Sequence, residues 1–349
     1  MLQLRGLQIR KYKQKDRIPN VISSLPFQLF AHEVYVLSPD KIDKGIADHS
    51  VNIFNALSSS YNVFLFFVCA GLLALIVLAA LYLRSTTPFV RLGKTVDKSS
   101  AWALVVIRVA FGASLLFSAA NSSLYGPELP LSSFPLAGLL SPVMAIAGIA
   151  LVLGFKIRLF ATLTIILWLL AFASKGFYIL TYINYLGEGI ALVLLPATKL
   201  SIDGLLNKGR SKKYKYEQYS LPIARIVFAF SLLYTAITIK FATTMLTLDV
   251  VRDFELTRYF PFDPLFVVLG AALIEVLVGI LFLTGLLQRF TAAIFLFVMT
   301  LSLIFFGESV WPHTLIIALG VGLFIHKPDK YTLDSWLFAC RLRKSKQTR

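Results

Sequence analysis

Residues 108–119, RVAFGASLLFSA, and residues 225–236, RIVFAFSLLYTA, decide the fold, because they are one pattern written twice in a single chain. Arg108, Phe111, Ser114, Leu115, Leu116, Phe117, Ser118 and Ala119 align with Arg225, Phe228, Ser231, Leu232, Leu233, Tyr234, Thr235 and Ala236 at a constant shift of 117. Farther on, Gly148, Gly154 and Arg158 align with Gly279, Gly285 and Arg289 at a shift of 131, and KLSID (199–203) aligns with KYTLD (330–334) at that same shift. Self-similarity over such a length marks a duplicated structural unit. The 14-residue difference falls between the first and second helices of each unit, where the second copy has the longer loop, 243–263, with Asp249, Asp253, Glu255 and Asp263.

Both copies are apolar. Of the 349 residues 57% are hydrophobic and only 15% charged, with a mean hydropathy of +0.76, against about 25% charged in a soluble protein. This is the composition of a membrane protein and excludes the usual soluble enzyme folds. Crossing about 30 Å of hydrocarbon takes about 20 apolar residues in a helix. Nine such runs are predicted: 61–83, 101–120, 136–154, 159–174, 178–196, 221–242, 264–285, 290–306 and 313–326. Pro142, the Gly187–Glu188–Gly189 triplet and the shortness of the last run make three of them irregular. The expected architecture is all-α and polytopic, with one anchoring helix followed by two parallel four-helix bundles. Gly148, Ala150, Gly154, Gly270, Ala271, Ala272 and Gly279 are expected where helices approach closely.

The formal charge of +16 is mostly a topology signal. Basic residues number 20 in segments 84–100, 155–158, 197–220, 286–289 and the tail from 327, and 3 (Lys175, Arg252, Arg258) in the alternate connections. Positive loops stay in the cytoplasm, so the C-terminus is expected there and residues 32–60 outside. Lys208–Lys215 (KGRSKKYK) also suits contact with anionic lipid. No basic stretch is long enough to fold as a nucleic-acid-binding domain. Residues 1–31 carry a basic then an apolar stretch that reads as a secretory signal, as an uncleaved interfacial segment or as plain disorder. The remaining divisions are 32–60 exported, 61–100 anchoring helix and linker, 101–205 first repeat, 206–220 basic linker, 221–335 second repeat and 336–349 basic tail.

Charge at the bilayer centre costs roughly 2.5–3.5 kcal/mol on insertion scales, so intramembrane ionisable residues are default functional candidates. Arg108 and Arg225 lie shallowly enough to snorkel, whereas Glu275 and Glu188 do not. Ion pairs Arg225–Glu275 and Arg108–Glu188 are therefore expected, as structural registers or as proton or headgroup sites. Lys175 and Lys240 stand near the opposite helix ends, either simply exposed or placed to capture an anionic solute. In FFGESVWPH, Glu308 and His313 flank Trp311 and Pro312, a carboxylate and imidazole suited to anchoring or to proton exchange. Met144, Phe177 and Tyr182 replace Glu275, Glu308 and His313 in the first copy, so the second copy is expected to keep more ionisable chemistry. No metal site is expected: the spacing of His and acidic residues is no metal motif, and Cys69 and Cys340 lie in no CxxC or Cys/His pattern.

An early Arg and late Lys on one helix (Arg225, Lys240), then Glu275, Gly279, Gly285 and Arg289, closed by Thr332–Asp334, resemble the DoxX-like family of four-helix membrane proteins. The resemblance covers 221–335, and 101–205 in degenerate form lacking the Glu and the late Lys. It implies a bacterial or archaeal cytoplasmic membrane and association with quinone-linked oxidation of sulfur compounds or with oxidative-stress complexes. By that analogy a quinone-like headgroup sits in the second bundle, with Arg225, Lys240, Glu275 and His313 as its site. No covalent cofactor is expected, since four His and two Cys are too dispersed for haem or iron–sulfur ligation, and whether the chain is itself catalytic stays open. The expected partners are membrane lipids, an exported or peripheral redox protein and further copies of the chain. A small-solute or proton-coupled transporter and a non-catalytic scaffold are the alternatives.

Overall fold

The computed structural model describes residues 36–195, 200–206, 216–307 and 311–337. The signal-like segment 1–31, Glu308, the Lys208–Lys215 stretch and Cys340 lie outside the described residues. The described residues fold as an all-α protein. Its helices are α1 (Pro39–Ala47), α2 (Ser60–Leu83), α3 (Thr87–Asp97), α4 (Ala103–Ala120), α5 (Ala137–Leu153), α6 (Ile157–Lys175), α7 (Ile183–Val193), α8 (Ile202–Leu206), α9 (Ser220–Thr235), α10 (Thr244–Asp253), α11 (Pro264–Thr284), α12 (Gln288–Phe306) and α13 (Pro312–Ile325). Among the described residues the only strand-like pairing is an isolated bridge, Ser123 with Pro130.

Nine of these helices are apolar, and six runs are long and apolar enough to cross a membrane. One run, Ile157–Val193, is α6 joined to α7 through the 3-10 stretch Gly176–Tyr182. The chain turns back at Gly176 (φ +61°), and α7 packs along α6. The apolar run expected to start at 178 therefore becomes regular α-helix only at Ile183. Helices α5 and α13 are apolar but shorter. Three amphipathic helices, α1, α3 and α10, stand where only connections were expected. Helix α2 is apolar all round and only Ala80 is buried in it, the pattern of a helix facing lipid.

Within each unit the packing order is the same: α4 on α5, α5 on α6, α6 on α7, and likewise α9 on α11, α11 on α12, α12 on α13. Between units the contacts are reciprocal. The first helix of unit one, α4, packs on the last of unit two, α13, while α9 packs on α7. This exchange interlocks the units: Leu315 of α13 enters the core of unit one, and Ile107 and Ala191 enter that of unit two. Small residues make the crossings close: a Cβ on Gly322 would meet Ile107, and one on Gly187 would meet Val227. Inside the units, Gly148 lies against Leu116 and Gly112, and Gly279 against Leu233 and Ala229. Gly270, by contrast, has no neighbour that a Cβ would touch.

Local signals fix the ends. Gly154 and Gly285 close α5 and α11 in the left-handed region, at φ +68° and +64°, where a side chain would be strained. Asp263 caps α11 by accepting from the Leu265 and Phe266 amides at 2.9 and 3.1 Å, with Pro264 at the first helical position. At the end remote from these glycine caps, α1 lies on α10 through Leu37, Ile42, Leu246 and Val250, and Lys41 pairs with Asp253.

Candidate functional site

At the glycine-cap end the two units make the same contacts. Arg108 donates through Nη2 to the carbonyls of Leu200 (2.8 Å) and Val152 (3.5 Å). Arg225 donates to the residues 131 later, Tyr331 (3.1 Å) and Leu283 (2.9 Å), and also to Phe282. Arg158 reaches the Leu195 carbonyl at 3.1 Å and Arg289 the His326 carbonyl at 3.1 Å, again a shift of 131. Asp203 accepts from the amides of Lys156 (2.9 Å) and Ile157 (3.1 Å) at the start of α6, and Asp334 from that of Gln288 (3.2 Å) at the start of α12. The last carbonyls of a helix have no intrahelical donor and carry the negative end of its dipole. Arg108 and Arg225 satisfy them, so these buried cations complete the ends of α5 and α11.

Neither expected ion pair forms. Arg225 is committed to carbonyls, and Glu275 pairs instead with Lys240, whose Nζ lies 2.6 Å from Oε2, while Thr235 Oγ1 donates to Oε1 at 3.0 Å. The reason is depth: the guanidinium is drawn to the orphan carbonyls nearest its own end, leaving the mid-helix carboxylate to a cation from the other side. A π-helical stretch, Ala236–Phe241, makes this reach possible. Closing i to i+5 brings residues five apart near one face, so Thr235 and Lys240 both meet Glu275. Lys240 is accordingly not a simple exposed helix-end lysine. The pair is open at its edge, with side-chain exposures of 15% and 21%.

In unit one Glu188 is fully buried, and among the described residues neither carboxyl oxygen has a hydrogen-bond partner. One turn before it on α7, Tyr185 belongs to a cluster that composition did not announce. Residues 121–136 turn inward through Ser122 and Tyr125, both at positive φ, and place Tyr125 in the core, where burial pushes its phenol well above the ordinary range. The Tyr125 ring lies 4.3 Å from that of Tyr185 and 5.9 Å from that of Tyr182. The Tyr185 hydroxyl is 2.5 Å from Ser114 Oγ. Tyr178 donates to Glu128 at 3.0 Å and Tyr182 donates to the same oxygen. Gly126 leaves room for this, since a Cβ there would collide with the Tyr182 hydroxyl and the Glu128 carboxylate. The first copy thus has an ionisable cluster of its own, with Glu128, Tyr125, Tyr178, Tyr182 and Tyr185, beside the Lys240–Glu275 pair of the second.

Two further candidates are His313 and Lys175. His313 is buried at the start of α13, beside Trp311, whose indole donates to Ser118 at 2.9 Å. Lys175 Nζ stands 5.1 Å from the centre of the Phe134 ring. A sequence signal for the missed tyrosines exists: Tyr178, Tyr182 and Tyr185 recur at i, i+4 and i+7, one stripe of a helix. Comparison of the chain with protein-family models, curated proteins and solved structures found no match.

Proposed function

We propose that the chain is the membrane component of a quinone-linked redox system and that the Lys240–Glu275–Thr235 cluster of the second unit binds the quinone-like headgroup. The observation that carries this reading is an ammonium and a carboxylate 2.6 Å apart on otherwise apolar helices, partly open at the bundle surface. A headgroup with two carbonyl oxygens needs a donor at one of them and a group that takes or gives a proton, and Lys240 and Glu275 supply the two in one place. Approach from the lipid suits an isoprenoid-tailed molecule. Arg225 supports the site only indirectly, by closing the end of α11. Electrons come from a partner, an exported or peripheral redox protein. The basic connections 84–100, 155–158 and 286–289 lie at the Arg108 and Arg225 end, which we place on the cytoplasmic side of a bacterial or archaeal membrane.

A photoreactive azido-quinone with an isoprenoid tail tests this on the intact protein in membranes. Labelling is expected within residues 235–241 and 264–284, displaced by excess quinone and lost in Lys240→Met. Labelling spread evenly over α2, α6 and α12, or unaffected by Lys240→Met, would remove the reading.

A further inference from the structure

Helix packing does not ask for an acid at position 188, because the equivalent residue of the second unit is Leu319, equally buried at 0% exposure. A carboxyl in a membrane helix is expensive enough to be tied to function by default. Buried polar groups are otherwise almost always partnered, yet Glu188 offers two oxygens with no donor. The nearest ionisable neighbour in the chain is Tyr185, one turn earlier on the same face. Its hydroxyl meets Ser114 at 2.5 Å and the Tyr125 carbonyl at 3.4 Å. The hydroxyl of Tyr125 is itself buried and has no hydrogen-bond partner among the described residues. Rings of Tyr125, Tyr182 and Tyr185 lie within 6.1 Å of one another, and Tyr182 ends on Glu128.

The charged and titratable groups on the elements packed against α7 are engaged elsewhere. Arg108, Arg158 and Arg225 donate to backbone carbonyls. Lys175 lies over Phe134, Tyr234 donates to the Phe177 carbonyl, and Tyr178 shares Glu128 with Tyr182. What leads away from Glu188 is therefore a file of hydroxyls: Tyr185 with Ser114, Tyr125, Tyr182, and then Glu128 in the loop after α4. Each member can give up one proton and take another.

We propose that Glu188 is a proton-binding site that exchanges with the Glu128 end of the first unit through the hydroxyls of Tyr185, Ser114, Tyr125 and Tyr182. Each transfer breaks one O–H bond and forms another, so the proton leaving Glu188 is recovered at Glu128 or in the solvent beyond it, and no electron moves. The site uses no residue of the Lys240–Glu275 cluster, so either proposal stands or falls without the other.

Infrared difference spectroscopy of the full chain in lipid vesicles, on transfer to D2O, reads this directly through the carbonyl stretch of a protonated carboxyl. Wild type is expected to show a band that Glu188→Gln and Glu188→Leu both abolish and Glu275→Gln leaves in place. Tyr182→Phe and Glu128→Gln should keep the band and slow its deuterium exchange by about tenfold or more, equivalent to about 1.4 kcal/mol on the barrier. A purely structural role for these residues would loosen the bundle and speed exchange instead. Survival of the band in both Glu188 variants overturns the proposal, as does exchange that is unchanged or faster in Tyr182→Phe and Glu128→Gln. If neither Glu188 variant assembles, those two proteins, with Glu188 intact, decide alone.

Discussion

In unit one, positions 144 and 188 are Met and Glu; in unit two the equivalent positions, 275 and 319, are Glu and Leu. Each unit thus carries one deep carboxylate, at the site where the other carries an apolar residue. Their surroundings differ as much as their places. Glu275 has Lys240 and Thr235, brought over by a π-turn, whereas α4 stays α-helical to Ala120 and Glu188 has tyrosines nearby and no hydrogen bond of its own. The shared frame of arginine-to-carbonyl bonds, aspartate caps and left-handed glycines repeats residue for residue, with ion pairs to Asp97 and Arg84 added in the second unit. Duplication kept what closes the helix ends and let the middle of the bundle diverge.

The largest effect should come from breaking the frame. Arg108→Leu and Arg225→Leu each strand two or more buried carbonyls, at about 1–3 kcal/mol for each carbonyl, seen as a large drop in thermal unfolding temperature in detergent. A loss confined to one of them would mean that the two units are not closed in the same way. Next, Leu319→Glu and Met144→Glu place a carboxylate in the unit that lacks one, at roughly 2.5–3.5 kcal/mol, while Glu188→Leu should stay within about 1 kcal/mol of wild type or stabilise. Equilibrium unfolding of the three variants side by side checks the contrast. Smaller again, Lys240→Met should cost about 1.5–3 kcal/mol, with much of that restored in the Lys240→Met, Glu275→Gln double variant.

The smallest effect is a pH dependence. Burial holds the His326 imidazole below its ordinary range, so the unfolded chain binds its proton first and stability falls as pH drops below about 6.5. In unit one the equivalent residue is Leu195. Thermal unfolding followed from neutral to mildly acidic pH should therefore flatten in His326→Gln.

Much of the fold was legible because apolar run length and a repeated motif are strong, local signals: the runs expected at 61–83, 264–285 and 290–306 lie within a few residues of α2, α11 and α12. The partners of buried charges were not legible. Depth along a helix says that Glu275 needs company, but only the π-turn, invisible in the residues of AITIKF, selects Lys240 over Arg225. The partners of Arg108 and Arg225 are hidden for a related reason, since orphan carbonyls carry no sequence signature. The tyrosine cluster was half visible: the stripe 178, 182, 185 is in the sequence, whereas the inward turn of residues 121–136 depends on tertiary packing and on positive φ at Ser122 and Tyr125.

Division of labour between the units is tested most directly by quinone content after mild purification, measured by extraction from wild type, Glu275→Gln and Glu188→Leu in parallel. Quinone is expected with the wild type and with Glu188→Leu, and to be lost from Glu275→Gln. Quinone missing from the wild type, or retained equally by both variants, would contradict the assignment of the headgroup to the second unit.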